Sequence, residues 1–300
     1  MTTSYRPGTP DDSQAVYQVF VRSLADLDQR MNLHMEVWDD PSFITRLWER
    51  RKPLYEHLAA IADQFWVAEE AGQVIGFARS LFQDGLQQLT EFFVLPGHQS
   101  GGIGRELLGR AFPPRGARRR SIIATLDSRA QARYLRSGVY PRFTIQYLYA
   151  KPELATVDGD LRFERVSASP ETIAAIRAID LALLGFQRDA THAHLLQDRQ
   201  GYLYLRGDRP VGYGYLTNGT GPMALLQETD FPAALSHAER DAAERGEEQF
   251  GVELPLVNRA AVQHLLARGF QLEPFVAVLM SDEPFGEFTN YVLSSPPFFL

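Results

Sequence analysis

The chain has 300 residues, with 30 basic and 37 acidic side chains, a formal net charge of −7 and no cysteine. The acidic balance argues against general nucleic-acid binding, and the lack of cysteine excludes disulfide bonds and a cysteine acyl-enzyme. No apolar run reaches the length of a membrane span and no leader-type segment precedes Arg6, so we expect a cytoplasmic protein that binds neither nucleic acid nor membrane.

Apolar periodicity predicts the first elements of the chain. A short strand is expected at Tyr5–Arg6, and apolar side chains that recur at helical spacing between residues 43 and 58 predict a helix. Residues 74–77, VIGF, predict a turn that leads into an apolar strand.

The stretch from Phe93 to Leu108, FVLPGHQSGGIGRELL, is the most informative part of the sequence. An apolar strand ends at Pro96, a glycine-rich loop follows, and apolar periodicity predicts a helix from Ile103. Glycines let a ligand approach the backbone, and the N–H groups and dipole of a helix N-terminus attract anions. The pattern therefore predicts a site for a phosphate-bearing cofactor.

Two better-known phosphate loops do not fit this stretch. A Walker loop needs Lys and then Ser or Thr after its last glycine, but Gly104 is followed by Arg105 and Glu106. A dinucleotide fingerprint needs G-x-G-x-x-G, whereas the spacing from Gln99 is Q-x-x-G-x-G. Hydrolysis of nucleoside triphosphates and dinucleotide binding are therefore disfavoured.

The segments after the loop continue the alternation of strands and helices. Residues 121–127 predict a strand, residues 128–137 a helix that ends at Gly138, and residues 143–150 an aromatic strand. The polar segment 151–160 contains Pro and Gly and separates this strand from a new one at Leu161. We therefore expect two domains, 1–150 and 151–300.

Internal repetition relates the two halves. Residues of the first half are matched at a constant spacing by residues of the second: Asp127, Ala130, Tyr134 and Gly138 by Asn258, Ala261, Leu265 and Gly269. The turn at 74–77 has a counterpart at 210–213, and the first strand has one at 161–163. Such agreement predicts a duplicated unit.

The glycine-rich loop resembles the cofactor loop of the GNAT superfamily of acyl-CoA-dependent N-acyltransferases. Its hallmark, Q/R-x-x-G-x-G/A, is filled by Gln99, Gly102 and Gly104. The family's next helix carries N-x-x-A-x-x-x-Y-x-x-x-G, which residues 127–138 match except that Asp127 stands in place of Asn. The resemblance implies an α/β (α+β) fold of two tandem GNAT-like domains, each a mixed, mostly antiparallel sheet flanked by helices, with acetyl-CoA as acyl-donor cosubstrate.

Acyl transfer to an amine needs a group that deprotonates the ammonium, donors that stabilise the oxyanion and an acid that protonates the departing thiolate. The resemblance makes Tyr134 the acid, and the alternative for this residue is an aromatic that packs beneath the cofactor. Glu91 is the candidate base, with its side chain pointing either into the cleft or away from it, and water is the alternative base. No metal is expected.

The resemblance also implies which residues contact the cofactor. The backbone at the end of the strand would hold the pantetheine arm, and the loop amides would hold the pyrophosphate. The residues implied are Phe92, Phe93, Val94, Gln99, Ser100, Gly101, Gly102, Ile103, Gly104, Arg105 and Asp127.

The second half lacks the features that carry this chemistry. No glycine follows Met223 before the next expected helix, Pro232 lies near the start of that helix, and Leu265 stands at the position of Tyr134. We therefore expect the C-terminal domain to be non-catalytic. Two functions remain open: an N-acetyltransferase that acts on a primary amine by direct transfer in a ternary complex, and a non-catalytic acyl-CoA-binding regulatory module.

The sequence does not identify the acceptor, for which a small-molecule or a peptide amine fits equally, or decide between a monomer and a homodimer. His192 and His194 are spaced i and i+2, which does not place two ligands on one helix face. The basic run of Arg115 and 118–120 fits either a surface loop or contact with the adenosine 3′-phosphate. The apolar tail from Phe288 is expected to dock, either on its own domain or between the halves near the acyl site.

Overall fold

The chain divides into two compact units, which we call the N-terminal and the C-terminal unit. The first comprises Met1–Tyr140 with Ser281–Glu283, and the second comprises Pro141–Met280 with Pro284–Leu300. The computed structural model describes residues 2–33, 38, 40–99, 101–114, 116–217, 219–297 and 300. The units differ from the expected ranges 1–150 and 151–300 because the strand that follows Tyr140 belongs to the C-terminal unit.

The N-terminal unit is a sheet flanked by helices. Its elements in chain order are β1 Ser4–Pro7, α1 Ser13–Met31, α2 Pro41–Ile61, β2 Gln64–Glu70, β3 Gln73–Gln83, β4 Leu86–Val94, α3 Ile103–Ala111, β5 Arg119–Thr125 and α4 Ser128–Arg136. The strands lie in the order β1-β2-β3-β4-β5. Neighbours are antiparallel except β4 and β5, which are parallel.

Side-chain contacts fix where two helices of this unit, α2 and α4, begin. Asp40 precedes Pro41, the first residue of α2, and its Oδ1 accepts a hydrogen bond of 2.8 Å from the Ser42 N–H. Asp127 does the same for α4, since its Oδ1 accepts from the Arg129 N–H at 2.8 Å. Each carboxylate satisfies an N–H group that the first turn leaves without a partner and also interacts favourably with the helix dipole.

β4 separates from β5 in the middle of the N-terminal unit. The register of β3 and β4 shifts between Arg79↔Glu91 and Ser80↔Leu89, so Thr90 is an extra residue that forms a β-bulge. Within the described residues, pairing of β4 with β5 stops at Leu89↔Ile122. Because a bulge bends its strand, the second half of β4 leaves β5 and keeps only β3 as a neighbour.

The C-terminal unit repeats this order of elements. They are β6 Tyr140–Ala150, β7 Arg162–Val166, α5 Pro170–Leu183, α6 Asp189–Asp198, β8 Gln200–Arg206, β9 Arg209–Leu216, β10 Met223–Leu225, α7 Phe231–Glu244, β11 Phe250–Pro255, α8 Arg259–Ala267, β12 Gln271–Ser281 and β13 Tyr291–Val292. From β7 to α8 the succession matches that from β1 to α4. The duplication predicted from the sequence is therefore present in the fold.

Two groups of strands build the C-terminal unit. One sheet has the order β13-β10-β9-β8-β7, and β6 lies between β12 and β11 in the other group. Leu148 of β6 is completely buried in a core that also includes Leu235 of α7 and Leu265 of α8. Burial of this apolar surface is the main favourable contribution to the folding of the unit.

The apolar tail docks on the C-terminal unit, which was one of the two alternatives. Tyr291 and Val292 form β13 and pair antiparallel with β10, and both side chains are completely buried. Phe298 and Phe299 lie outside the described residues. No helix in the described parts of the chain combines the length and the apolar character that crossing a bilayer requires.

Candidate functional site

The loop between β4 and α3 places a helix N-terminus beside the separated half of β4. β4 ends at Val94, and α3 begins at Ile103 after Gly102, which has a φ of +88°. This left-handed conformation favours glycine, because a side chain there is strained. Ser100, one of the predicted loop residues, lies outside the described residues. The strand, loop and helix predicted from the sequence are confirmed.

Gly104 and Gly101 serve different purposes in this loop. A Cβ added at Gly104 would stand 3.1 Å from Cζ of Phe92, which is closer than most real contacts of a Cβ atom. A side chain at this position would therefore crowd the Phe92 ring, which would have to shift for α3 to keep its place against β4. A Cβ added at Gly101 would meet no atom within 4 Å, so this part of the loop borders open space in which a ligand could lie against the backbone.

Gln99 ties the loop to the strand rather than extending away from it. Its Nε2 donates a hydrogen bond of 3.1 Å to the carbonyl oxygen of Val94. The Ser23 hydroxyl of α1 donates to the same oxygen at 3.4 Å. The ring of Phe93 packs edge-on against that of Phe20, also on α1, with centroids 5.2 Å apart. These contacts fix the position of the last residues of β4.

Two guanidinium groups lie next to the start of α3. Nη2 of Arg105 is 3.8 Å from the point where a Cβ on Gly102 would stand, and Cζ of Arg133 is 3.5 Å from the corresponding point on Gly104. Both charges add to the positive end of the helix dipole and favour an anionic ligand. Arg105 was predicted from the sequence, but Arg133 was missed, although its place one residue before Tyr134 on α4 was available as a signal.

Tyr134 lies beneath the strand end with its ring against Phe92. The two ring centroids are 6.1 Å apart in an edge-on arrangement, and the side chain is 5% exposed. No hydrogen bond with another described residue engages its hydroxyl. Burial, and secondarily the negative charge of Asp127, raises the pKa of this phenol above its ordinary value. The hydroxyl therefore keeps its proton at neutral pH and can donate it.

Asp127 is held by protein groups on both of its oxygens. Besides capping α4, it accepts a hydrogen bond of 2.7 Å from Nη2 of Arg30 on α1. Burial opposes ionisation, but the hydrogen bonds from Arg30 and from the Arg129 N–H outweigh it and lower the pKa of Asp127. The predicted cofactor contact at this position is untested, and the carboxylate positions α4 and Tyr134.

Glu91 points into the core of the N-terminal unit. Its side chain is completely buried, and its Oε2 lies 3.1 Å from Nε of Arg79, which is equally buried and sits directly opposite on β3. Nη1 of Arg79 donates to the carbonyl oxygen of Tyr55 at 2.9 Å. Burial raises the pKa of Glu91, and Arg79 opposes this shift only in part. The two orientations considered for Glu91 were into the cleft and away from it, and in the structure the side chain is buried against Arg79 in the core of the unit.

The other residues singled out in the sequence occupy structural positions. Arg120 donates to the carbonyl oxygens of Phe112 at 2.9 Å and Ser137 at 2.7 Å, and Arg118 pairs with Asp84, whereas Arg115 lies outside the described residues. His192 is buried between Asp180 and Tyr215. Within the described ranges, no group of three or more His, Cys, Asp or Glu side chains is arranged to hold a metal ion.

Comparison with known protein families found a match within the N-terminal unit. Residues 62–140, which contain β2 to α4, match the family model of the acetyltransferase (GNAT) domain. A comparison with curated protein sequences found no similar protein.

Solved structures share the fold along nearly the whole chain. An acetyltransferase candidate from Pyrococcus horikoshii has a TM-score of 0.72 at 17% identity, over 96% of this chain and 92% of that one. A tandem GNAT protein from the clavulanic acid biosynthesis pathway has a TM-score of 0.60 at 13% identity, over 94% of this chain and 99% of that one. A GCN5-related N-acetyltransferase from Sphaerobacter thermophilus has a TM-score of 0.56 at 14% identity, over 94% of this chain and 96% of that one.

At these identities the similarity establishes the fold and not the activity. The fold includes the tandem arrangement, since a tandem GNAT protein aligns over both units. Residues 62–140 thus match a GNAT domain, and the chain shares its fold with a solved tandem GNAT protein over 94% of its length.

Proposed function

We propose that the protein is an acetyl-CoA-dependent N-acetyltransferase that works in the groove of its N-terminal unit. The observation that carries this proposal is the separation of β4 from β5, which leaves the edge of Phe92–Val94 beside a glycine loop and a helix N-terminus. Tyr134 lies at the same place, and the family match covers all of these elements. The transferase class follows from the family, and the donor, acceptor and mechanism are our proposal.

The residues of the groove fit the chemistry of acetyl-CoA. Backbone N–H and C=O groups along the separated edge of β4 suit the amides of a pantetheine arm, which binds much as a strand does. The open space at Gly101, the start of α3 and the guanidinium groups of Arg105 and Arg133 suit a pyrophosphate. When bound, the cofactor supplies an acyl group activated as a thioester.

Tyr134 is the proposed proton donor to the departing thiolate. Its position against Phe92 places the phenol next to the strand end proposed to hold the pantetheine. The hydroxyl stays protonated over the working pH range, as an acid in this role must, although its raised pKa also makes it a weaker proton donor than an ordinary phenol. Backbone N–H groups of Phe92–Val94 would polarise the thioester carbonyl.

Glu91 is the proposed base, and its burial sets a condition on that role. A completely buried carboxylate that is paired with Arg79 does not touch an acceptor directly, so the proton would have to reach it through water. The raised pKa of Glu91 brings the carboxyl closer to neutral pH, where a base works best. The acceptor is proposed to be a primary amine of a small molecule or a peptide, and transfer to be direct in a ternary complex of a cytoplasmic monomer or homodimer.

Gly101→Asp tests the donor site. A carboxylate in this open part of the loop repels a pyrophosphate without an internal clash, so we expect the affinity for acetyl-CoA to fall at least about tenfold, which corresponds to roughly 1.4 kcal/mol. Gly101→Asn has nearly the same shape without the charge and serves as the control. Calorimetry should give one site per chain in the unaltered protein and a melting temperature that the substitution leaves nearly unchanged.

Equal affinities of the Asp and Asn variants would contradict this location of the pyrophosphate. Two equal donor sites per chain would contradict the confinement of donor binding to the N-terminal unit. Donor binding without release of free thiol across a panel of amines would instead support the regulatory-module alternative.

Tyr134→Phe tests the acid. The change keeps the ring against Phe92 and removes only the hydroxyl, so kcat should fall by roughly 10- to 1,000-fold while the affinity for acetyl-CoA stays within a few-fold. Tyr140→Phe, at a residue that is 53% exposed, is the matched control. An unchanged kcat under conditions where the chemical step limits the rate would reduce Tyr134 to a packing residue.

Glu91→Gln tests whether Glu91 acts as the base or only as the structural ion-pair partner of Arg79. Loss of the buried pair leaves Arg79 without its counter-charge and should lower the free energy of unfolding by about 3–5 kcal/mol in either case. If Glu91 is the base, kcat per folded molecule also falls by about 10² or more. The rise of kcat with pH through the raised pKa of this carboxyl is then lost.

The control for this experiment is Glu106→Gln, which removes a carboxylate paired with Arg110 at the surface and should change neither property. Reduced stability with an unchanged kcat and pH profile would assign Glu91 a purely structural role.

A further inference from the structure

The strand pairs β3–β4 and β9–β10 have the same register. In the N-terminal unit, Phe92, Phe93 and Val94 lie opposite Ala78, Phe77 and Gly76. In the C-terminal unit, Met223, Ala224 and Leu225 lie opposite Gly214, Tyr213 and Gly212.

One further backbone hydrogen bond in each unit shows that the two strand pairs occupy equivalent positions in their units. The Leu95 N–H donates to the carbonyl oxygen of Ile75 at 2.9 Å, and the Leu226 N–H donates to that of Val211 at 2.8 Å. Met223–Leu225 are therefore the counterparts of Phe92–Val94, the strand end proposed to hold the acyl donor.

In the C-terminal unit, the counterpart of this edge is covered by the chain itself. β13 pairs antiparallel with β10 through Met223↔Val292 and Ala224↔Tyr291. The Asn290 amide donates from Nδ2 to the carbonyl oxygen of Leu225 at 2.7 Å. Its counterpart in the N-terminal unit, the carbonyl oxygen of Val94, receives the Gln99 amide. In the C-terminal unit, Asn290 of the C-terminal segment thus supplies the side-chain amide contact that the loop residue Gln99 supplies in the N-terminal unit.

The other side of the segment contacts β11 and the start of α8. The Leu293 N–H donates to the carbonyl oxygen of Glu253 at 3.0 Å. Nδ2 of Asn258, the counterpart of Asp127, donates to the carbonyl oxygen of Tyr291 at 3.3 Å. The segment therefore lies between β10 and β11, as the proposed donor groove lies between β4 and β5.

Buried polar groups anchor the segment. Nη2 of Arg188 donates to the Tyr291 hydroxyl at 2.6 Å, and Asp180 accepts from Nε of the same guanidinium at 2.8 Å. Nη2 of Arg199 donates to the carbonyl oxygen of Ser295 at 2.9 Å. The side chains of residues 291–293 are completely buried, so removal of the segment would expose a large apolar surface and several paired polar groups.

We propose that residues 290–295 are a built-in occupant of the second acyl-donor groove, and that this groove is a binding site for an extended peptide that excludes acyl-CoA. The identification of the groove rests on the proposed function of the N-terminal unit. The pairing of the segment with β10 and β11 does not depend on that function.

Hydrogen exchange on the unaltered chain, with and without acetyl-CoA, tests whether the segment occupies the groove and whether the groove excludes acyl-CoA. Without the ligand, the amides of 223–225 and 291–293 should exchange slowly. Acetyl-CoA should slow exchange at 92–94 and 99–105 and leave the two C-terminal segments unchanged. A ligand-induced change at 223–225, or exchange of 291–293 as fast as in an unfolded chain, would overturn the proposal.

Asn258→Asp tests the contact with α8 in a chain that should fold. Asp keeps the oxygen that accepts from the Ala261 N–H and caps α8, but it loses the N–H donor to Tyr291. We expect amides 291–293 to exchange at least about tenfold faster, since one buried hydrogen bond is lost and its acceptor is left unpaired. Arg259→Gln, at the exposed neighbouring position, is the control. Equal exchange in both variants would overturn the proposal.

A chain that ends at Thr289 lacks the whole occupant. We expect it to melt at a lower temperature, to recover stability with a synthetic peptide of residues 290–300 and to gain nothing from a scrambled peptide. Full stability without the peptide, or stabilisation by acetyl-CoA at a second site, would overturn the proposal. If acetyl-CoA alters no segment of the unaltered chain, the proposed function fails, and the peptide experiment alone decides whether the groove binds its own segment.

Discussion

A strand that leaves its neighbour inside a fold exposes N–H and C=O groups that must find other partners, and both units depend on how this requirement is met. In the N-terminal unit, the bulge at Thr90 bends β4 away from β5 and leaves the edge of Phe92–Val94 beside the loop. In the C-terminal unit, β13 lies along the corresponding edge. One edge is open to a ligand, and its counterpart is closed by the chain.

The sequence predicted the elements around this edge because local signals specify them. Glycines at 102 and 104, the pattern of residues 127–138 and apolar periodicity predicted the strand, loop and helices around this edge. The bulge at Thr90 was not predictable, since no residue preference marks it and it depends on pairing with β3. The covering of β10 was equally hidden, because it joins segments far apart in the chain.

The sequence predicted the roles of the site residues only where those roles depend on neighbours in the chain. Gly104 was singled out for a close ligand, but the structure adds a packing reason, since a side chain there would meet Phe92. Alternation along β4 left the direction of Glu91 open, and the buried partner Arg79 on β3 accounts for its inward orientation. Arg133 was missed because its relation to Gly104 arises from the packing of α4 near α3, which sequence spacing does not contain.

Loss of the glycine loop and gain of the C-terminal strand are linked by the same carbonyl oxygen. In the N-terminal unit, the Val94 oxygen receives the side-chain amide of Gln99, a loop residue. In the C-terminal unit, a connection with a 3₁₀ turn at Glu228–Asp230 leads from β10 to α7, and the Leu225 oxygen receives the side-chain amide of Asn290 instead. Once a strand from the same chain satisfies the edge, the unit needs neither a ligand nor glycines that admit one. A duplicated domain can thereby keep its fold while this edge of its second copy is paired with a strand of the same chain.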